Sequence, residues 1–116
     1  MTKTQQKPLP NDLTASFAAL SDPVRFAIVD RLLREGELSA GDIGQGIAIS
    51  GPAVSQHLNV LHDTGLIIRR KQAQRRMYSV NPVGMSAISD WINEARKFWE
   101  ASLDRLEKAL NQEKDK

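Results

Sequence analysis

The chain has 116 residues, a formal net charge of +2, 41% hydrophobic and 26% charged side chains, and no cysteine. One folded domain is expected from that length and composition, and the missing thiols exclude a disulfide scaffold, a thiolate zinc site, an iron–sulfur cluster and a cysteine nucleophile. Apolar runs of a few residues exclude a membrane-spanning helix, and residues 1–8 show no secretory pattern, so a cytoplasmic protein is expected.

Residues 1–11 are polar, carry Pro8 and Pro10, and predict a flexible arm. A short helix follows from Asp12, with Leu13, Phe17 and Leu20 on one side. Ser21 or Asp22 caps a second helix, and Pro23 suits its first turn, where the missing N–H costs nothing. Val24, Ala27, Ile28, Leu32 and Leu33 form its predicted apolar stripe, which runs up to Gly36. Ser39 with Asp42 three residues on is a capping pattern for a third, weak helix. Gly41, Gly44 and Gly46 each cost about 1 kcal/mol there, so packing through Ile43 and Ile47 must hold it. Ser50 caps a fourth helix, with Pro52 in its first turn and Gly65 as its stop.

The period then changes. Residues 66–71 and 76–80 carry β-branched and aromatic side chains with partial alternation, joined by a polar tip at 72–75, and predict a β-hairpin. Asn81 and Pro82 start a last helix expected to reach Leu110, with residues 111–116 fraying. The expected fold is mostly α with a small β-hairpin, in the order α-α-α-α-β-β-α, with residues 12–110 forming a winged helix-turn-helix domain.

Charge is concentrated within this order. Residues 1–49 carry five basic and six acidic side chains, residues 50–80 five basic and one acidic, and residues 81–116 six basic and seven acidic. A basic hairpin beside a capped helix points to an anionic partner met by one face. At 100° per residue, Val54, Leu58 and Leu61 turn to the core, Pro52, Gln56 and Asn59 lie opposite, and Ser55 sits at the margin. That small, uncharged outer face suits a major groove about 12 Å wide. Gln56 can pair with an adenine edge, Ser55 with a base or phosphate, and Pro52 and Ala53 can meet a thymine methyl. Ser50 stands at the helix N-terminus, which favours phosphate. Alternation along the strand puts Arg69 and Lys71 on one side and Arg70 on the other. Arg69, Lys71, Gln74, Arg75 and Arg76 are the candidate contacts to the flanking phosphates or the adjacent minor groove, while Arg70 is a candidate for an internal salt bridge.

Three stretches resemble the ArsR/SmtB family of bacterial winged-helix repressors: LSDPVR at 20–25, SGPAVSQHLNVLHDTGL at 50–66, and the basic hairpin around RRK at 69–71 and RRMYSV at 75–80. The resemblance covers about residues 12–106. It implies a homodimeric, sequence-specific repressor on a pseudo-palindromic operator. Many members sense metal through a paired-cysteine motif in the third helix, where this chain has ELSAGDI at 37–43, with Ser39 and Gly41 at the thiolate positions. No metal site and no cofactor are expected. His57 and His62 are five residues apart on one helix, a poor fit to chelation, and His57 is expected to be packed and hydrogen-bonded.

The last helix would run roughly 40 Å at 1.5 Å per residue, longer than a globule of this size can cover. Its stripe at Ile88, Ile92, Ala95, Trp99, Leu103, Leu106 and Leu110 keeps close to heptad spacing. A homodimer through the first and last helices would cover Leu13, Phe17, Trp91, Phe98, Trp99, Leu103, Leu106 and Leu110. The aromatic cluster is assigned to a dimer core in preference to an apolar ligand site, and the residues name no inducer. An enzyme is not expected: there is no Gly-rich phosphate loop, no carboxylate pair, and both histidines lie on the presumed reading helix. The alternative readings are a winged-helix protein-interaction module and a low-specificity nucleoid-associated DNA binder.

Overall fold

The computed structural model describes residues 11–114, with side chains from Leu13. The expected arm lies outside the described residues except for Asn11, which already belongs to the first helix. That helix, α1, spans Asn11–Leu20, and α2 spans Pro23–Glu35. A two-residue strand β1 (Leu38–Ser39) precedes α3 (Ala40–Gln45) and α4 (Gly51–Asp63). The hairpin is β2 (Ile67–Gln72) and β3 (Arg75–Val80), and α5 spans Pro82–Lys114. Two compact units are present, the first closing at Met85 and the second starting at Ser86. From Ser86 onward nearly every side chain is exposed, with only Ile88 buried, so this stretch builds no core of its own.

The caps are satisfied locally. Asp22 Oδ2 accepts from the backbone N–H groups of Val24 and Arg25, both at 3.0 Å, so Asp22 rather than Ser21 caps α2. Ser39 Oγ accepts from Asp42 N at 3.1 Å, and Ser50 Oγ from Ala53 N at 3.3 Å. Gly36 and Gly65 take positive φ of 85° and 88° after α2 and α4, a conformation that glycine enters without steric cost. Asn81 Oδ1 accepts from Val83 N, while Asn81 Nδ2 donates to the Gly65 carbonyl at 2.9 Å. Asn81 therefore starts α5 and ties that start to the turn after α4.

Ile28, Val29 and Leu32 of α2, Ile43, Val54, Leu58, Leu61, Leu66, Ile67 and Tyr78 form the buried core, with Ala19. The expected α2 stripe shifts: Val29 is buried, whereas Ala27 and Leu33 are exposed. Ile28, Val29 and Leu32 span one third of the helix circumference, and Ala27 and Leu33 fall on either side of it. The second correction is the strand β1. The sheet has three antiparallel strands in the order β1-β3-β2, with Leu38 opposite Tyr78 and Ser39 opposite Met77. Two residues are too short to display alternation, and their partners lie about forty positions away. The third is the end of α5, which continues through 111–114 in place of the expected frayed tail. Asn111 apart, these are good helix formers, and nothing there breaks the helix.

Glycine-rich α3 is held by a neighbour. Arg31 of α2 donates from Nη1 to the carbonyls of Asp42 at 3.1 Å and Ile43 at 3.4 Å, near the C-terminus of α3. These are among the carbonyls that a helix end leaves unpaired. Arg31→Ala is expected to lower stability by about 1–2 kcal/mol, read from the urea midpoint. Faster amide exchange should concentrate in α3; unchanged α3 protection would remove Arg31 from this role.

Candidate nucleic-acid interface

Helix α4 buries Val54, Leu58 and Leu61 and leaves Pro52, Ser55, Gln56 and Asn59 exposed, with Ala53 half-buried. Ser50 is exposed at the cap, its Oγ already accepting from Ala53 N. Because Ser50 and Pro52 initiate the helix without charged side chains, its first two turns present a low, polar surface. Pro52 precludes no needed bond, since N–H groups in a first turn have no helical partner. The turn from α3 to α4, residues 46–50, leaves Ile49 partly exposed beside it.

The hairpin is closed by a two-residue turn in which Ala73 takes φ of 56°, without the glycine such turns favour. Its register pairs Arg69 with Tyr78, Arg70 with Met77, Lys71 with Arg76 and Gln72 with Arg75. Directly paired residues share a face. The five cations therefore divide. Arg69, Lys71 and Arg76 extend outward along the face whose base is Ile67 and Tyr78, and Arg70 and Arg75 lie on the other.

Arg70 and Arg75 have partners within the fold. Arg70 makes a bidentate pair with Glu37, Nε to Oε2 at 2.7 Å and Nη2 to Oε1 at 2.6 Å. Arg75 Nη2 donates to Ser39 Oγ at 2.9 Å and lies 3.5 Å from Asp42 Oδ2. The sequence signal for these contacts was weak, because both depend on β1 pairing with β3. On the other face, Lys71 and Arg76 oppose each other directly, and neither they nor Arg69 have an acidic partner among the described residues. Arg69, Arg70, Lys71 and Arg76 line one shallow recess. Gln74 is exposed at the tip.

The Arg70 hydrogen bonds hold the Glu37 carboxyl below its ordinary value. A depressed carboxylate pKa means that this clasp is fully formed above the ordinary glutamate range and is lost as pH falls through the lowered value. The Arg70 Nε–H resonance is accordingly expected to be protected near neutrality and to collapse on acidification. Glu37→Gln should abolish the transition; its persistence would show that another acid controls it.

The candidate dimer residues fall in both compact units. In the first, Phe17 is exposed and Leu13 half-buried. In the second, Trp91, Phe98, Trp99, Leu103, Leu106 and Leu110 are all exposed, from 45% to 70%. No helix among the described residues is long and apolar enough to cross a membrane.

A helix-turn-helix domain family matches residues 20–70. The HTH-type transcriptional regulator Rv2034 of Mycobacterium tuberculosis is 35% identical over 100 residues, covering 86% of this chain and 90% of that protein. The transcriptional repressor SdpR of Bacillus subtilis is 38% identical over 76 residues, covering 66% of this chain and 83% of that one. The crystal structure of the ArsR family transcriptional regulator RHA00566 superposes with a TM-score of 0.71 at 28% identity, covering 82% of this chain and 97% of that chain. Together with the helix-turn-helix of α3 and α4 and the basic wing of β2 and β3, these likenesses place the chain in the ArsR family of winged helix-turn-helix DNA-binding transcriptional regulators.

Proposed function

We propose that the protein is a cytoplasmic, homodimeric repressor that recognises a pseudo-palindromic operator without a metal-sensing site. The observation that carries this reading is the cation row Arg69, Lys71 and Arg76, which has no acidic partner among the described residues and is set on one face of the wing in the same unit as the uncharged outer face of α4. Like charges placed directly opposite each other, as Lys71 and Arg76 are, destabilise the pair, and phosphates would relieve that cost. In this reading α4 enters the major groove, with Gln56, Ser55 and Asn59 at base edges and Pro52 and Ala53 against thymine methyls. Ser50 stands near a phosphate at the helix N-terminus. Gln74 and Arg75 complete the tip: Ser39 holds one Nη of Arg75, and its other donors remain for the backbone.

Two copies would pack through α5 and the Leu13 and Phe17 side of α1. That arrangement would cover the exposed stripe and set two α4 helices about 34–36 Å apart. The repressor assignment draws support from relatives such as SdpR, whose name states that activity.

The test measures binding to a duplex selected by the protein from a random pool, against an unselected duplex, over a range of salt. Gln56→Ala should cost about 1–3 kcal/mol on the selected duplex only. Lys71→Ala with Arg76→Ala should weaken both duplexes alike and flatten the salt slope by about two. Equal losses on both duplexes for Gln56→Ala would remove it from base reading. An unchanged salt slope for the double variant would remove the wing from the phosphates. A protein-interaction module predicts no effect of either on DNA, and a nucleoid binder predicts no preferred duplex.

A further inference from the structure

The buried side of α4 carries one polar residue that the interface does not use. His57 follows Gln56 and turns inward, with 22% of its side chain accessible. Its Nδ1 lies 3.3 Å from Nη1 of Arg25 and 3.8 Å from Oδ2 of Asp22. A guanidinium has donors only, so Nδ1 must accept, and the ring proton is assigned to Nε2. Arg25 reaches in a second direction as well. Its Nε donates to the Ala19 carbonyl at 2.8 Å, one of the last four carbonyls of α1, which the helix itself leaves unpaired. The Arg25 backbone N–H is meanwhile held by the Asp22 carboxylate. That bond, ahead of the Arg25 charge, keeps Asp22 ionised by lowering its pKa.

We propose that Arg25 and His57 form a positioning link that fixes the rotation of α4 about its axis against the end of α1, and thereby where the neighbouring Gln56 points. The physical reason is geometric. Val54, Leu58 and Leu61 give α4 an apolar seat, but apolar contacts tolerate small rotations. A directed contact from Nδ1 to a planar fork does not. The fork is itself held through its Nε bond to Ala19 O, so the ring is referred to the end of α1 and not to a free side chain. Lysine at position 25 could reach one of the two acceptors as a point donor but could not bridge them in this way. The link rests on the reading that α4 meets base edges.

The test compares wild type, Arg25→Lys, His57→Leu and His57→Asn on the selected and unselected duplexes. Asparagine is chosen because its Oδ1 can stand where Nδ1 accepts. Arg25→Lys and His57→Leu are expected to lose about tenfold in preference for the selected duplex, with the salt slope unchanged because no phosphate contact is removed. His57→Asn should stay within about threefold of wild type. Equal losses on both duplexes, a retained preference in His57→Leu, or an asparagine no better than leucine would overturn the link. A wild-type protein with no preferred duplex would instead overturn the reading on which it rests. Should the variants fail to fold, the ¹⁵N imidazole spectrum of the wild type decides. An unprotonated Nδ1 with the proton on Nε2 is expected, and a proton held on Nδ1 near neutrality would sink the proposal.

Discussion

Gly84→Ala is expected to destabilise the protein by about 3 kcal/mol, a large part of the 5–15 kcal/mol that holds a typical domain. Gly84 lies in the first turn of α5, and a Cβ built there collides with the carbonyl oxygen of Gly65 and falls 2.9 Å from its carbonyl carbon. The obstacle is backbone, so no side-chain rotation relieves it. Nor can the two segments separate freely. Asn81 donates from its backbone N–H to Leu66 O at 2.9 Å and from Nδ2 to Gly65 O at the same distance. Relief would break that clamp or push out the turn that ends α4, so DNA affinity should fall together with stability. Gly51→Ala is the control, since its Cβ would meet nothing within 4 Å. It should leave the urea midpoint unchanged or raise it slightly, as alanine does in a helix. A Gly84→Ala midpoint equal to wild type would mean that α5 does not start against Gly65.

Leu103→Asp combined with Leu106→Asp is expected to convert the protein to monomers by sedimentation and to lower operator affinity by roughly a hundredfold or more. The argument starts from exposure. Trp99, Leu103, Leu106 and Leu110 are 62%, 45%, 55% and 54% accessible and recur at alternating spacings of four and three on α5. A seam of that spacing suits a second amphipathic helix packed along it. Two carboxylates in its centre would be desolvated against apolar partners, which folded proteins avoid. In the proposed dimer, loss of the second copy would remove the second α4, and with it the local concentration effect that joins two half-sites. Lys108→Asp lies on the opposite side of α5 and should remain dimeric. Dimers in the double aspartate variant would assign the interface elsewhere, and monomers in Lys108→Asp would show that the helix tolerates no acid at all.

The helices and the hairpin were legible in the residues because their signals are local. Asp22, Ser39, Ser50 and Asn81 each name a helix start through a side chain that bonds a backbone group two or three positions on. The 3.6-residue period of Val54, Leu58 and Leu61 separated the core side of α4 from Pro52, Gln56 and Asn59 without any knowledge of the neighbours. The expected alternation likewise put Arg70 opposite Arg69 and Lys71. The sequence by itself therefore determined the five helices and the hairpin, which face of α4 is polar, and that the cations cluster on one hairpin. Only the tertiary structure decided which of those cations have partners within the fold. Glu37 and Ser39 come beside Arg70 and Arg75 through β1, a strand too short to announce itself, so these two have partners within the fold, while Arg69, Lys71 and Arg76 have no acidic partner among the described residues. The Arg31 cap on α3, the Arg25–His57 link and the approach of Gly84 to Gly65 share that origin. Each joins residues 11 to 32 positions apart, and side-chain reach and backbone clearance at such separations follow from packing, which no local period encodes.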